Sequence, residues 1–288
     1  MVNIGFIGAG TVGTALAVRL SSKGYPVVAV SSRTKASAQR LADAVSGCRV
    51  CDTAQEVADS AQLVFVTTPD DAIQEVVAEL YWHKGQSVVH CSGADSTDIL
   101  EQAKEDDAWV GGFHPLQTFA SVTHAIENIP GSTFAIEAEE PLLSTLKEMA
   151  LALDGTWVRL SAEDKVLYHA AAVIACNYFV TLVKQATDLW ATFEVSSQQA
   201  TKALMPLLRG TLNNIDNVGL PDCLTGPIAR GDLGTIKKHL AALKRAAPQV
   251  LSIYRELGLK TIPIALAKGR IDEERANELR ELLKEENL

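Results

Sequence analysis

Val2-Asn3-Ile4-Gly5-Phe6-Ile7-Gly8-Ala9-Gly10-Thr11-Val12-Gly13-Thr14-Ala15-Leu16-Ala17-Val18-Arg19-Leu20 opens the chain and decides its fold. The short apolar run ending at Ile7 reads as a buried strand, and the alanine- and leucine-rich run from Thr14 reads as a helix. Between them stands G-x-G-x-x-G. Gly8 permits the tight turn, Gly10 lets the backbone approach a pyrophosphate that a Cβ would obstruct, and Gly13 lets helix and strand pack closely. The anion then rests on free backbone N–H groups at a helix start. The glycines alone would suit an ordinary turn; the strand before and helix after favour a dinucleotide site, with Thr11 and Val12 in the first turn beneath it.

Outward from this motif, short β-rich runs alternate with amphipathic stretches as far as Leu160. Strands are expected near Val2–Ile7, Val27–Val30, Arg49–Cys51, Leu63–Thr67, Ser87–His90, Trp109–Phe113, Thr133–Ile136 and Thr156–Arg159. Helices fit between them, notably over Thr14–Lys23, Ala36–Val45, Ala72–Leu80 and Pro141–Leu153. This rhythm predicts a Rossmann-like, doubly wound parallel α/β sheet over residues 1–160. After Leu160 the strand signal ends. Ser161-Ala162-Glu163-Asp164 reads as a capped helix start, and an all-α second domain is expected over 161–288. Its helices are placed from Ser161 to Phe193, at Ser197–Asn214 with a kink or break at Pro206, and at Leu233–Ala246, Gln249–Leu257, Thr261–Ala267 and Asp272–Glu285.

The 288 residues carry 26 basic and 35 acidic side chains, for a net charge of −9. That balance repels phosphate backbones and anionic lipid, so general nucleic-acid and membrane roles are disfavoured. The opening residues lack the basic region of a signal peptide. Val166–Val183 approaches membrane-spanning length, but His169, Asn177 and Thr181 interrupt it and Lys184 closes it, so a buried helix of a soluble protein is expected. The five cysteines are an odd set with no disulfide framework, which suits a reducing, cytoplasmic compartment. Cys48-x-x-Cys51 has no second pair and no histidine pair to complete a metal site, so no metal is expected.

The end of the second strand selects the cofactor. An NAD site normally presents an acid there for the ribose 2′-hydroxyl, whereas this chain has Val30-Ser31-Ser32-Arg33-Thr34-Lys35. Arg33 can grip a 2′-phosphate with its planar fork while Ser32 and Thr34 donate to it, so NADP(H) is favoured. The alternative is that Arg33 and Lys35 are solvated loop cations. Ligands of such sheets bind beyond the carboxyl ends of the strands, which brings forward Thr67 and Pro69, then His90 and Ser92, then His114. Asp70, Asp71 and Ser96 read as helix caps.

Hydride transfer needs one proton donor or acceptor besides orientation and water exclusion. Lys165 and His169 stand at i and i+4 on one helix face, and Asn177 falls near the same face two turns on. The first two are the candidate proton carriers; His90, His114 and Asn177 are candidate substrate contacts. Structural roles compete: Lys165 as a first-turn surface cation, His169 as a satisfied ring, Asn177 in helix packing. Asp222-Cys223-Leu224-Thr225-Gly226-Pro227-Ile228-Ala229-Arg230-Gly231-Asp232 is a turn-rich loop able to offer Thr225, Gly226 and Arg230 to an anionic substrate, or else a connector with Asp232 as N-cap.

Together the Gly8–Gly13 fingerprint, Ser32-Arg33-Thr34, His90-Cys91-Ser92-Gly93, Phe113-His114-Pro115-Leu116-Gln117, Tyr168-His169-Ala170-Ala171 and Leu224 to Asp232 resemble a bacterial family. Its members join a Rossmann-like NADP-binding domain to a helical domain of unknown function. More distantly the chain is similar to pyrroline-5-carboxylate reductase, deazaflavin-dependent NADP oxidoreductase and the β-hydroxyacid dehydrogenases. The resemblance implies a reductase or dehydrogenase ancestry and a homodimer formed through the helical domain. It departs from the β-hydroxyacid dehydrogenases, which follow the lysine with an asparagine where this chain has His169. The expectation is an NADP-dependent oxidoreductase acting on a small, anionic carbonyl or imine compound; the alternative is a non-catalytic NADP(H)-binding sensor or structural dimer.

Overall fold

A computed structural model describes residues 2–284. An eight-stranded sheet in the order β3-β2-β1-β4-β5-β6-β7-β8 forms the first half of the chain. Its strands are β1 Ile4–Ile7, β2 Val27–Ser31, β3 Arg49–Val50, β4 Leu63–Val66, β5 Ser87–His90, β6 Trp109–Leu116, β7 Thr133–Ala138 and β8 Thr156–Arg159. The first connections run through α1 (Thr11–Ser22), α2 (Lys35–Ala44), α3 (Ala54–Ala58), α4 (Asp70–Ala78) and α5 (Glu101–Glu105). Strand order reverses direction between β1 and β4, the switch point where open α/β sheets bind ligands.

All eight expected strands form, but the sheet is not wholly parallel: β7 pairs antiparallel with β6. The intervening α6 (Val122–Asn128) packs on α1, where Arg19 Nε donates to the Ile126 carbonyl at 2.6 Å. The chain therefore re-enters the sheet from the edge it has just left. A crossover through α7 (Leu142–Ala152) then sets β8 parallel to β7.

Apolar strand residues point alternately to two cores. Ile4, Phe6, Phe65, Val89, Phe113 and Phe134 pack against α1, α2, α6 and α7. On the other face Ile7, Ala29, Val64, Val66 and Val88 pack against α3, α4 and α5. Phe6, Phe65, Phe113 and Phe134 form successive ring contacts at centroid separations of 5.2, 6.0 and 4.5 Å across the strands. Each such contact adds about 0.5–1.5 kcal/mol beyond area burial.

Compactness divides the chain into Met1–Asn177 and Tyr178–Leu288, whereas the sequence placed the boundary at residues 160 and 161. The difference is α8 (Ala162–Ala172), which opens with a capping box between Ser161 and Asp164 and belongs to the first unit. A single π-turn, Val173–Asn177, follows it. The second unit holds α9 (Tyr178–Trp190), α10 (Ser197–Val218), α11 (Leu233–Ala246), α12 (Pro248–Ala267) and α13 (Glu273–Lys284). Its core is Ile236, Leu240, Ile262, Ala276, Leu279, Leu282 and Leu283.

Three helix expectations are corrected. Of the kink or break expected at Pro206 the break does not occur, since α10 runs on through it to Val218, and α12 runs through Pro263 as one helix where two were expected. Both prolines are exposed, so the carbonyl each frees one turn earlier is left on a solvated side. The Val166–Val183 stretch is not buried: Val166, Leu167, Ile174, Tyr178 and Val180 are all more than half exposed. The helical run Ala162–Phe193 is long and apolar enough, by length and composition, to cross a membrane, and none of its most apolar window is buried in the chain. The last expected helix reaches Glu285, which lies outside the described residues.

Candidate functional site

The glycine loop is built against β4. Gly8 adopts φ +105°, a left-handed conformation that other residues rarely take. Its N–H donates to the Ser31 carbonyl at 2.8 Å, and Thr67 Oγ1 donates to the Gly8 carbonyl at 2.8 Å. A Cβ at Gly8 would lie 2.6 Å from the Thr67 carbonyl carbon, and one at Gly13 would lie 2.8 Å from the Gly8 carbonyl oxygen. Both glycines therefore serve packing. Gly10 differs: its Cβ would find nothing nearer than the Thr67 carbonyl oxygen at 4.0 Å. Gly10 occupies the N-cap of α1, so the N–H groups of Thr11, Val12 and Gly13 have no partner one turn earlier.

A cleft of about 720 Å³ opens above this loop. Gly8, Gly10, Ser32, Arg33, Thr34, Thr67, Thr68 and Pro69 line it, all within segments the sequence brought forward, and so do Ser37 and Asp52, which it did not. Thr68 Oγ1 is buried without a hydrogen-bond partner. Lys35 pairs with Asp52 at 2.8 Å, whereas Arg33 makes no ion pair among the described residues. A dinucleotide fits these residues: bare N–H groups and the open space at Gly10 for a pyrophosphate, an orphaned hydroxyl, and an uncommitted guanidinium at the rim. Thr11, Val12 and Gly13 form the helix start beneath the cleft and do not line it.

Ser92 does not line the cleft either. It is 2% exposed, and its Oγ lies 2.9 Å from Asp70 Oδ2 and 2.8 Å from Asp95 Oδ2. Neither Asp70 nor Asp71 caps α4, whose N-cap is Pro69; both stand in its first turn, and the Asp70 carboxylate instead anchors the turn that follows β5. Ser96 does act as a cap, accepting from the Asp98 N–H. Asp232 likewise caps α11, accepting from Thr235 N–H at 2.9 Å.

A second group gathers around β5, β6 and α8. Register places His90 beside Gly112 and Gly112 beside Glu137, so the three form one row on one face of the sheet. Gly112 leaves a gap in that row. A Cβ there would lie 3.0 Å from Lys165 Nζ and 3.3 Å from His90 Nε2. Lys165 is 2% exposed, and its Nζ stands 3.6 Å from Glu137 Oε2. Burial pulls its pKa below the ordinary lysine value, and the Glu137 carboxylate opposes that pull. Glu137 is held in turn by Thr97, whose hydroxyl donates to Oε1 at 2.9 Å and whose N–H lies 3.2 Å from both oxygens.

His90 is buried and His114 half-buried, and both are held as neutral rings. Desolvation, then the nearby Lys165 and His114, lower His90 to a pKa of about 3; the Ser92 N–H donates to its Nδ1 at 3.1 Å, and its Nε2 has no partner. Desolvation, then His169 and Lys165, lower His114 to about 4; its Nδ1 lies 2.7 Å from the Tyr168 hydroxyl. His169 meets His114 edge-on at 6.1 Å, and its Nδ1 is buried and unpaired. Both rings converge on Gly93, where a Cβ would lie 2.6 Å from His169 Nδ1 and 2.9 Å from His114 Nε2. The structure thus brings His90, His114, Lys165 and His169 together and adds Glu137, Tyr168 and Thr97. A carboxylate in the apolar strand Thr133–Ala138 was the available signal for Glu137, since a buried charge requires a partner.

Asn177 is exposed and ends the π-turn. That turn departs from the 3.6-residue period, so the spacing that aligned Asn177 with His169 does not hold. Thr225, Gly226 and Arg230 lie in the second unit, between α10 and α11. There Lys268 Nζ donates to the Asp222 and Leu224 carbonyls at 2.6 and 2.8 Å and pins the loop.

Residues 1–115 match the family model of a Rossmann-like domain, and residues 132–261 match DUF2520, a domain of unknown function. No curated protein matches. Among solved structures the chain is similar to a Bacteroides fragilis protein provisionally named an NADP oxidoreductase, at 26% identity and TM-score 0.71 over 97% of this chain and 98% of that one. It is also similar to a reductive aminase from Aspergillus terreus in complex with NADPH and ethyl levulinate (18%, TM-score 0.67, 96% and 98% covered). A third is a pyrroline-5-carboxylate reductase from Coxiella burnetii (15%, TM-score 0.59, 99% of each chain). At those identities the last two speak for the fold. The chain therefore joins a Rossmann-like N-terminal domain to a C-terminal DUF2520 domain, and the second match takes in the last two strands as well as helices.

Proposed function

We propose that this chain is an NADP(H)-dependent oxidoreductase that transfers a hydride between the nicotinamide and a small, anionic carbonyl or imine compound. The observation that carries the reading is the cleft at the switch point, with open space at the Gly10 Cβ position and an uncommitted Arg33 at its rim. The backbone N–H groups of Thr11, Val12 and Gly13 and the open space at Gly10 hold the pyrophosphate, with Gly8 shaping the turn and the lack of a Cβ at Gly13 letting helix and strand close; Ser32, Arg33 and Thr34 hold the 2′-phosphate. Thr67, Pro69 and the turn carrying Ser92 position the remainder. The bound nicotinamide supplies the hydride. Lys165 supplies the proton, with His169 as the second candidate, and His90 and His114 are assigned to the substrate. The Bacteroides protein's provisional name and the NADPH bound to the Aspergillus aminase support this cofactor and reaction class.

A homodimer through the helical domain accounts for the exposed apolar residues on α9 and α10, among them Val180, Leu207 and Leu212. The five free cysteines accord with a cytoplasmic setting. One observation favours the competing reading of a binding-only sensor: neither Lys165 nor His169 lines the cleft. The deciding experiment follows NADPH absorbance over a panel of small keto acids, with and without amines. Consumption that requires Lys165 or His169 supports the enzyme. NADPH binding with no consumption across the panel supports the sensor.

A further inference from the structure

Among the described residues Lys165 is the only lysine or arginine that is buried, and a buried ammonium needs both a counter-charge and a way to exchange its proton. The groups that face it are Glu137 from β7, His90 and Cys91 from β5 and the turn after it, His114 from β6, and Asp95. Of these only Glu137 is an ion-pair partner, at 3.6 Å. Glu137 also has a second side. A cavity of about 900 Å³ is lined by Thr97, Glu137, Arg159, Ser161 and Ala162, among others, and Lys165 is not in its wall. The cavity shares no lining residue with the glycine-loop cleft. Glu137 therefore stands between this hollow and the ammonium, fixed by the Thr97 hydroxyl and N–H.

We propose that Glu137 is the positioning residue that holds Lys165 as an ammonium and returns a proton to it from the cavity, away from the cofactor cleft. The assignment rests on Lys165 being the acid of the proposed reduction. A bound reduced nicotinamide would supply the hydride to the substrate carbon; on this chain's side an Nζ–H bond of Lys165 breaks. A new O–H or N–H bond forms on the substrate, and a neutral amine is left behind. Glu137, having taken a proton from solvent in the cavity, passes it to Nζ and becomes a carboxylate again. The relay gains no electrons and loses none.

The test is a pH titration of Lys165 by NMR in the full chain labelled with [13C]lysine, the signal assigned through Lys165→Met. Glu137→Gln is expected to lower the midpoint by roughly one to three pH units, and Glu137→Asp to restore most of it. Thr97→Val, a milder change should the first variant fail to fold, is expected to shift it in the same direction by less. A midpoint equal to wild type in both Glu137→Gln and Thr97→Val overturns the proposal. Ala162→Phe, which fills part of the cavity, is expected to slow solvent exchange of the Nζ protons; exchange at the wild-type rate overturns the route. Failure of the underlying reading looks different: Lys165→Met would then turn over like wild type, whatever the titration shows.

Discussion

Replacing Gly10 by aspartate separates cofactor binding from folding. Gly10 sits at the N-cap of α1 with φ −76° and ψ −170°, an extended conformation open to any residue. Its Cβ direction meets only the Thr67 carbonyl oxygen at 4.0 Å. Aspartate is among the best N-cap residues, so the variant should melt at or slightly above the wild-type temperature. The new carboxylate, however, points into the space reserved for the pyrophosphate. At about 4 Å from one phosphate charge, with an effective dielectric near 20, the repulsion is ~4 kcal/mol, or about three powers of ten in Kd. Fluorescence titration with NADPH measures the affinity and calorimetry the stability. Gly13→Ala is the contrasting control: its Cβ would press within 2.8 Å of the Gly8 carbonyl oxygen. It should cost ~1–3 kcal/mol of stability, as overpacking does. NADPH binding by folded Gly10→Asp at wild-type strength would refute the assignment of this loop.

Arg33→Asp should reduce the preference for NADPH over NADH by roughly tenfold to a hundredfold, the value of charge-assisted bonds to one phosphate; an unchanged ratio of the two dissociation constants would count against Arg33. Lys165→Met or His169→Ala, whichever removes the acid, should lower kcat by about 10²–10⁴ while leaving the NADPH dissociation constant close to wild type. Stability should fall with acid. His90 and His114 titrate near 6.5 when unfolded but only at about 3 and about 4 in the fold, so below pH 6.5 the unfolded chain takes up protons that the native rings refuse. The loss is ~1.4 kcal/mol per histidine per pH unit until the folded values are reached. Chemical denaturation between pH 7 and 4 would show it, and a flat profile in that window would show that the rings are not buried as neutral groups.

The strands and the cofactor loop could be read from sequence because both are local. Short apolar runs such as Leu63–Val66 and Ser87–His90 needed no tertiary information, and the glycine spacing carries its own mechanism. The reversal at β7 could not be read, because a connection containing a short helix looks alike whether the chain crosses the sheet or returns beside itself. Continuity through Pro206 and Pro263 depended on those prolines facing solvent, which pattern alone does not reveal. Periodicity put Lys165 and His169 on one face of α8, yet gave no sign of Thr97, and the one sign of Glu137 was a carboxylate within an apolar strand, which names no partner. The exposure of Val166 and Leu167 ran against expectation for a related reason: an apolar helix demands cover, but composition does not say where in an assembly the cover lies.

The row His90, Gly112, Glu137 exists because three backbones are aligned to the residue, and one of them runs the opposite way. Side chains on a strand alternate between faces, so removing one residue ahead of Gly112 within β6 would turn Gly112 away and bring Phe113 under the lysine. The ladder acts as a ruler for the chemistry above it. Variation within this strand should be confined to swaps of side chain, while changes of length collect in the turns on either side.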